Sequence, residues 1–183
     1  YDQMHRWGPK KYFINRMNAP SSALEAGTRN AGLGALLGLG NPVKDAICLF
    51  QHAEYLKKTY WKSGVTISFP RLRPEVGGFQ APYPVSDRLL ARIIFAFRIC
   101  MPEVPLVLST RESPVMRDGM AGLGISKMSV ASRTTVGGYR APVKTDEGQF
   151  SVSDTRDVEE FCKALRKKDL EPVFKNWDMT FRP

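Results

Sequence analysis

The chain has no run of about eighteen apolar residues, so it holds no segment that reads as a membrane-spanning helix. Nothing in it has the charged, apolar and small-residue parts of a signal peptide. Cysteine is scarce: Cys48, Cys100 and Cys162 are far apart, which excludes a disulfide framework and any cysteine spacing of a metal site. Each lies in an apolar stretch (AICLF, FRICM, EFCKAL), as expected for free thiols in the helices of a cytoplasmic protein. Histidine is limited to His5 and His52, neither in a ligand spacing; His52 reads as part of a helix face. Internal repeats and low-complexity linkers are absent.

What is present is ordinary globular material. Of 183 residues, 43% are hydrophobic and 25% charged, enough for one domain with a core. The net charge of +9 invites a nucleic-acid reading, but Lys and Arg are dispersed. The tight groups are Lys10-Lys11, Lys57-Lys58 and Arg166-Lys167-Lys168, the last two late in predicted helices, where the helix dipole favours cations. No recognition motif accompanies them, and no nucleic-acid partner is expected. The chain opens on Tyr1 rather than Met, which fits a piece of a longer protein.

Punctuation along the chain alternates strand and helix. Asn18 and Pro20 predict the start of a short helix through SSALEAGTR, and AGLGALLGL (31–39) reads as a strand. Asn41 with Pro42 caps a helix running to about Tyr60. VTISFP (65–70) is the next strand, and Ser86-Asp87 caps the helix DRLLARIIFAFRIC, stopped by Pro102. LVLST follows as a strand, Ser113-Pro114 opens a short helix, and 124–132 is a further strand. A loop with Gly137-Gly138-Tyr139 leads to a helix over 155–168, and EPVFKNW is a last extended piece. Such alternation implies parallel strands with right-handed crossovers, in half of an eight-stranded barrel or a doubly wound sheet.

Strand parity locates a candidate site. Val65, Ile67 and Phe69 share one face; so do Leu106, Leu108 and Thr110. The apolar face should meet helices. The other face carries Ser109 and Arg111 at the C-terminal end of its strand, where parallel α/β folds keep their sites, and Arg71 and Arg73 follow the preceding strand. A guanidinium there suits a carboxylate, because its planar fork engages both oxygens. Pairing of Arg111 with Glu112 or another nearby acid is the alternative reading. Gly32, Gly34 and Gly38 give 31–39 a close-approach character, toward a packed helix or a ligand.

ISFPRLRP, VSDRLLARIIFAFRICMPEVPLVLSTRESPVMRD, KMSVASRTTVGGY, QFSVSDTR and EPVFKNWD together resemble the C-terminal half of the radical S-adenosylmethionine tyrosine lyases of thiazole (thiamine) synthesis, the 2-iminoacetate synthase family. LSTRES with the downstream VGGY is similar also to the tyrosine lyases of [FeFe]-hydrogenase maturation, and 124–178 resembles the biotin and thiamin synthesis-associated region. The resemblance implies one partial domain over 1–183, covering about strands five to eight of a (β/α)8 TIM-type barrel. It implies cleavage of the tyrosine Cα–Cβ bond to 2-iminoacetate (dehydroglycine) and p-cresol, with S-adenosylmethionine and a [4Fe–4S] cluster in the full-length enzyme. Ser109 and Arg111 match the family's tyrosine-binding pair. Arg16 falls where the family has an arginine near the cofactor's methionyl carboxylate, although Asn15 and Met17 depart from the usual neighbours; a surface arginine before a helix cap is its other reading. Ser68 and Arg71 stand where the adenosyl part is held, and the sequence does not choose between Arg71 and Arg73 for the cavity. No residue of this chain is expected to be catalytic or to bind metal, since the family's CxxxCxxC motif does not occur in it.

The expected partners are tyrosine, the absent N-terminal barrel half and, by family membership, a thiazole synthase; the isolated piece is expected to be inactive and to self-associate through open strand edges. The hydrogenase-maturation lyases carry a further cysteine-bearing C-terminal region with no counterpart before Pro183, which favours thiazole synthesis. A non-catalytic binding or assembly module is the remaining alternative.

Overall fold

The computed structural model describes residues 1–3, 5–73, 78–134 and 152–174. A 3-10 turn, Pro9–Lys11, leads into α1 (Phe13–Glu25); then come β1 (Asn30–Gly34), α2 (Pro42–Thr59), β2 (Gly64–Ser68), α3 (Asp87–Cys100), β3 (Leu106–Leu108), α4 (Pro114–Met120), β4 (Lys127–Met128) and α5 (Val158–Arg166). The four strands form one sheet in the order β1-β2-β3-β4, with every neighbour parallel.

The caps follow the local chemistry. The Asn41 side chain accepts from the amides of Val43 and Lys44, with Pro42 in the first helical turn. Ser86 accepts from the Leu89 amide and Ser113 from the Met116 amide. Asp157 opens α5 with a reciprocal capping box, its carboxylate taking the Glu160 amide while Glu160 takes the Asp157 amide.

Several boundaries differ from expectation: β3 ends at Leu108 and not Thr110, α5 spans Val158–Arg166 within the expected 155–168, and α1, β1 and β4 differ more. Helix α1 begins at Phe13, not beside Pro20, which lies inside it. Proline has no amide to offer the Arg16 carbonyl, a loss an exposed helix tolerates because water can replace the bond. Strand β1 stops at Gly34 rather than Leu39; Leu37 returns as an isolated parallel bridge to Arg71, and Gly38 turns with a positive φ of 112° open to glycine. The strand expected over 124–132 shortens to Lys127–Met128, since the Ser126 and Ser129 amides that flank it are the ones bonding the Leu106 and Leu108 carbonyls. The Gly137-Gly138-Tyr139 loop and the end of EPVFKNW lie outside the described residues.

Burial obeys the expected parity. Ala31, Leu33, Val65, Ile67, Leu106 and Leu108 are buried in one core with Leu49, Ala53 and Leu56 of α2 and Leu90, Ile94 and Phe97 of α3. Phe97 meets Phe69 edge-on at 5.1 Å and Phe50 at 6.0 Å. The opposite face of β1 and β2 carries Asn30, Gly32, Gly34, Thr66 and Ser68, none fully buried. Thr66 donates to the Asn30 side chain across the strands at 3.1 Å. The sheet therefore has one apolar face closed by helices and one small, polar face left open.

Candidate functional site

Beyond Leu108 the alternation continues: Thr110 and Glu112 are buried, while Ser109 and Arg111 on the other parity are half-buried. The backbone here is held at nearly every polar atom. The Thr110 amide donates to Ser129 Oγ at 3.1 Å, and the Thr110 carbonyl accepts from the amides of Ser153 and Asp154 at 3.0 and 3.1 Å. The Arg111 amide reaches Ser109 Oγ at 3.4 Å, the Glu112 amide reaches the Ser109 carbonyl at 3.2 Å, and Arg73 Nε donates to the Arg111 carbonyl at 2.9 Å. Burial pulls the Arg111 guanidinium below its ordinary range, and the charge of Glu112 opposes that pull. An arginine stays protonated under either influence.

Glu112 is 1% exposed and turned away from the open face. Arg71 Nε donates to both its oxygens, at 3.1 and 2.9 Å, and Arg73 Nη2 reaches Oε2 at 2.8 Å. Arg71 Nη1 donates to the Val85 carbonyl at 2.7 Å, and Nη2 reaches Asp87 and Glu112. Burial works against the Arg71 charge, but the bonds to Glu112 and Asp87 outweigh it and hold its pKa above the usual value. The structure thus places Arg71 inside an ion-pair lattice with a protein partner at each guanidinium nitrogen. Glu112 is bonded by Arg71 and Arg73, and its charge also reaches the neighbouring Arg111.

On the other side of the same turn lies a second lattice. Asp154, 1% exposed, takes Arg117 Nη1 and, at 2.9 and 2.7 Å, Arg156 Nε and Nη2. Arg156 also bonds both oxygens of Asp118, at 3.0 and 2.8 Å. Arg117 Nη2 donates to the Ser129 carbonyl, and both guanidinium groups lie over the Phe161 ring, at 4.4 and 5.2 Å.

The remaining candidates are dispersed. Ser68 Oγ donates to the Leu33 carbonyl at 3.2 Å and sits where a side chain at Gly34 would stand, 2.5 Å from that position. This is why residue 34 lacks a Cβ: the neighbour it makes room for is a strand hydroxyl, not a helix. Arg16 is exposed on α1 and lines a cavity of about 530 Å³ with Lys10, Asn15, Pro20, Asn30 and Gly32, along the unpaired edge of β1. Gly32 has open space where a side chain would project. The structure brings Arg71, Ser109 and Arg111 to the C-terminal ends of β2 and β3, and leaves Arg16 at the β1 edge.

Asp154, Arg117 and Arg156 do not stand out in the sequence, and Glu112 does so only as an acid beside Arg111. For Glu112 a signal existed: it shares the parity of Leu106, Leu108 and Thr110, so a buried carboxylate needing a cation was implied. Among the described residues no three His, Cys, Asp or Glu side chains could hold a metal ion. Cys48 and Cys100 are exposed on different helices and Cys162 is buried on a third, so these residues do not fit a cluster. S-adenosylmethionine has one compatible feature, the half-open cavity joining the Arg16 guanidinium to the bare backbone of Gly32. Among the described residues no helix is long and apolar enough to cross a membrane.

The model of the biotin and thiamin synthesis associated domain matches residues 68–171, from the end of β2 through α5. The 2-iminoacetate synthases of Salmonella typhimurium (strain LT2) and Escherichia coli (strain K12) are each 40% identical over 179 residues, which is 97% of this chain and 47% of the relative. The chain thus spans about half the length of the curated relatives it matches. Among solved structures, HydG, a maturase of the [FeFe]-hydrogenase, superposes with a TM-score of 0.88 at 34% identity, over 96% of this chain and 38% of that one. HydG from Carboxydothermus hydrogenoformans gives 0.84 at 39% identity, over 93% and 39%. The expected fold class, a parallel α/β sheet organised as part of a barrel, stands. With the model match covering more than half of its length, this chain belongs to the biotin and thiamin synthesis associated family.

Proposed function

We propose that this chain is the substrate-holding half of a radical S-adenosylmethionine tyrosine lyase, which cleaves the tyrosine Cα–Cβ bond to 2-iminoacetate and p-cresol for thiamine thiazole synthesis. The observation that carries the reading is the parity of the 106–112 segment: Ser109 and Arg111 lie on the face opposite the helix-packed core, at the C-terminal end of β3. The name of the 40%-identical relatives, 2-iminoacetate synthase, supports the product.

In this reading the Arg111 guanidinium takes the tyrosine carboxylate through two parallel charge-assisted bonds, and the Ser109 hydroxyl adds a donor. Fixing that end of the substrate sets the distance of the reacting hydrogen, and the gain is positional. S-adenosylmethionine, when bound, supplies the chemistry that removes this hydrogen. Arg16 would face its methionyl carboxylate, and the open space at Gly32, whose partner on β2 is Thr66, leaves room for its adenosyl part, with Ser68 two residues further along β2 beside Gly34. Arg71 serves that site indirectly, by holding the ends of β2 and β3 together through Glu112. Cluster ligands come from the other half, which pairs along the open edge of β1; without it the chain is inactive and prone to self-association. The enzyme is cytoplasmic, and a thiazole synthase consumes its product.

The superpositions on HydG favour a second reading, the tyrosine lyase of hydrogenase maturation. Complementation separates them: restored growth of a thiazole-requiring strain supports the first, restored hydrogenase activity the second. The reading itself is tested with the full-length protein, handled anaerobically with tyrosine, S-adenosylmethionine and a reductant. Tyrosine-dependent p-cresol and 5′-deoxyadenosine are expected. Arg111→Ala should weaken tyrosine binding about 10- to 100-fold, the worth of a lost charged hydrogen-bond pair. Normal tyrosine affinity in that variant would overturn the assignment.

A further inference from the structure

The Arg111 carbonyl accepts a hydrogen bond from Arg73, and the same Arg73 reaches the buried carboxylate of Glu112. Those two bonds fasten consecutive residues of one turn to a single side chain in the segment after β2. Arg71 anchors the other side of Glu112, from three residues past β2, and is itself tied to the Val85 carbonyl before α3. Past Leu108, where β3 pairing ends, the backbone is held by amides at the Thr110 and Ser109 carbonyls and, at the Arg111 carbonyl and the Glu112 carboxylate, by side-chain charges.

Glu112 sits next to Arg111 in sequence, and its charge acts on the Arg111 guanidinium. Both its oxygens are engaged by Arg71, and one by Arg73, on the buried side. A lattice of two cations around one carboxylate does more than hold the turn. It directs Glu112 to the core parity and leaves Arg111 on the open-face parity, one residue away.

We infer that Arg73 and Glu112 are positioning residues for anion recognition at Arg111: the Arg73–Glu112 pair sets the backbone of the 109–112 turn, so that the Arg111 guanidinium meets a substrate carboxylate. This rests on the reading of Arg111 as the tyrosine clamp. Neither residue touches the substrate; Arg73 acts through the Arg111 carbonyl and Glu112 through Arg73 and Arg71.

The test is a double-mutant cycle on tyrosine affinity, measured by calorimetry on the full-length protein with S-adenosylmethionine present. Arg73→Met removes the donor to the Arg111 carbonyl but keeps an aliphatic stem in a half-exposed position, so the fold is retained. It should weaken tyrosine binding about tenfold while kcat at saturating tyrosine changes little. Arg73→Lys, which keeps the charge without the fork, should recover only part of the loss. In an Arg111→Ala background Arg73→Met should have no further effect, because its route runs through Arg111. Asp87→Asn, which also touches Arg71 but lies away from the turn, should bind tyrosine normally. If Arg73→Met binds tyrosine as tightly as the parent, or if its effect adds fully to that of Arg111→Ala, the positioning role is wrong. An Arg111→Ala variant with unchanged affinity would instead remove the tyrosine reading and leave the inference without its substrate. Glu112→Gln, which leaves Arg73 its bond to the Arg111 carbonyl, should weaken tyrosine binding less than Arg73→Met does.

Discussion

Two buried carboxylates stand on either side of the 109–112 turn, and their arginines are balanced differently. Around Glu112, Arg71 has a second acid in the half-open Asp87 and a carbonyl at Val85, and its pKa is driven above the ordinary value despite burial. Around Asp154, Arg117 is 1% exposed and sealed against Phe161, with one acid in bonding range and the Ser129 carbonyl; there burial prevails and its pKa falls. The Arg117 Nε hydrogen has no polar partner among the described atoms. Two motifs that look alike as a count of charges therefore differ in how much each arginine depends on its central acid.

Removing the central acid should expose that difference. Asp154→Asn strips Arg117 of its charged partner while Arg156 keeps Asp118, so an uncompensated buried cation remains; about 3–5 kcal/mol of stability should be lost. Glu112→Gln leaves Arg71 with Asp87 and Val85 and leaves Arg73 with the Arg111 carbonyl, and the amide oxygen can still accept; about 1–3 kcal/mol is expected. Urea denaturation of the two variants checks the order. Equal losses would mean that Asp87, at 62% side-chain exposure, lends Arg71 no useful support.

Acid sharpens the same contrast. Burial alone would raise the Asp154 carboxyl, but the hydrogen bonds from Arg156 and the charge of Arg117 outweigh it and hold the pKa below the ordinary carboxylate value. Its folded pKa lies below its unfolded one, near 4, so the unfolded chain binds the proton first as pH falls. The stabilisation is complete above about pH 4 and disappears as pH drops through the lower folded value. Asp154→Asn should therefore be less stable than the parent at pH 6, and the gap should close toward pH 2. A gap that stays constant with pH would show that Asp154 contributes by packing and not by charge.

Legibility in the sequence divides along local and distant lines. The caps at Asn41, Ser86 and Ser113 could be read because each needs only residues two or three positions away. The open face at Ser109 and Arg111 could be read because strand parity is a local rule. The lattices could not: Arg71 finds Glu112 across 41 residues and Arg117 finds Asp154 across 37. Arg71 and Arg117 look no different in sequence from the exposed arginines around them. Helix α1 was misplaced at its start because proline is a strong local signal that a solvent-facing helix can override.

The smallest expected effect separates formation of α5 from its docking. Asp154 ends the segment that bonds the Thr110 carbonyl, and three residues later Asp157 caps α5. Both acids precede the same helix, but Asp157 acts only on exposed backbone amides, with Glu160 still available to the first turn. Asp157→Ala should cost about 1 kcal/mol, which for a chain of this size moves Tm by about 2–4 °C. Its effect should appear as faster amide exchange confined to the first turn of α5, with Phe161 still seated under Arg117. Asp154→Asn should instead raise exchange at the Ser153 and Asp154 amides, which hold Thr110. If Asp157→Ala also frees those two amides, helix and turn melt as one cooperative unit, and the lattice around Asp154 owes part of its strength to the cap.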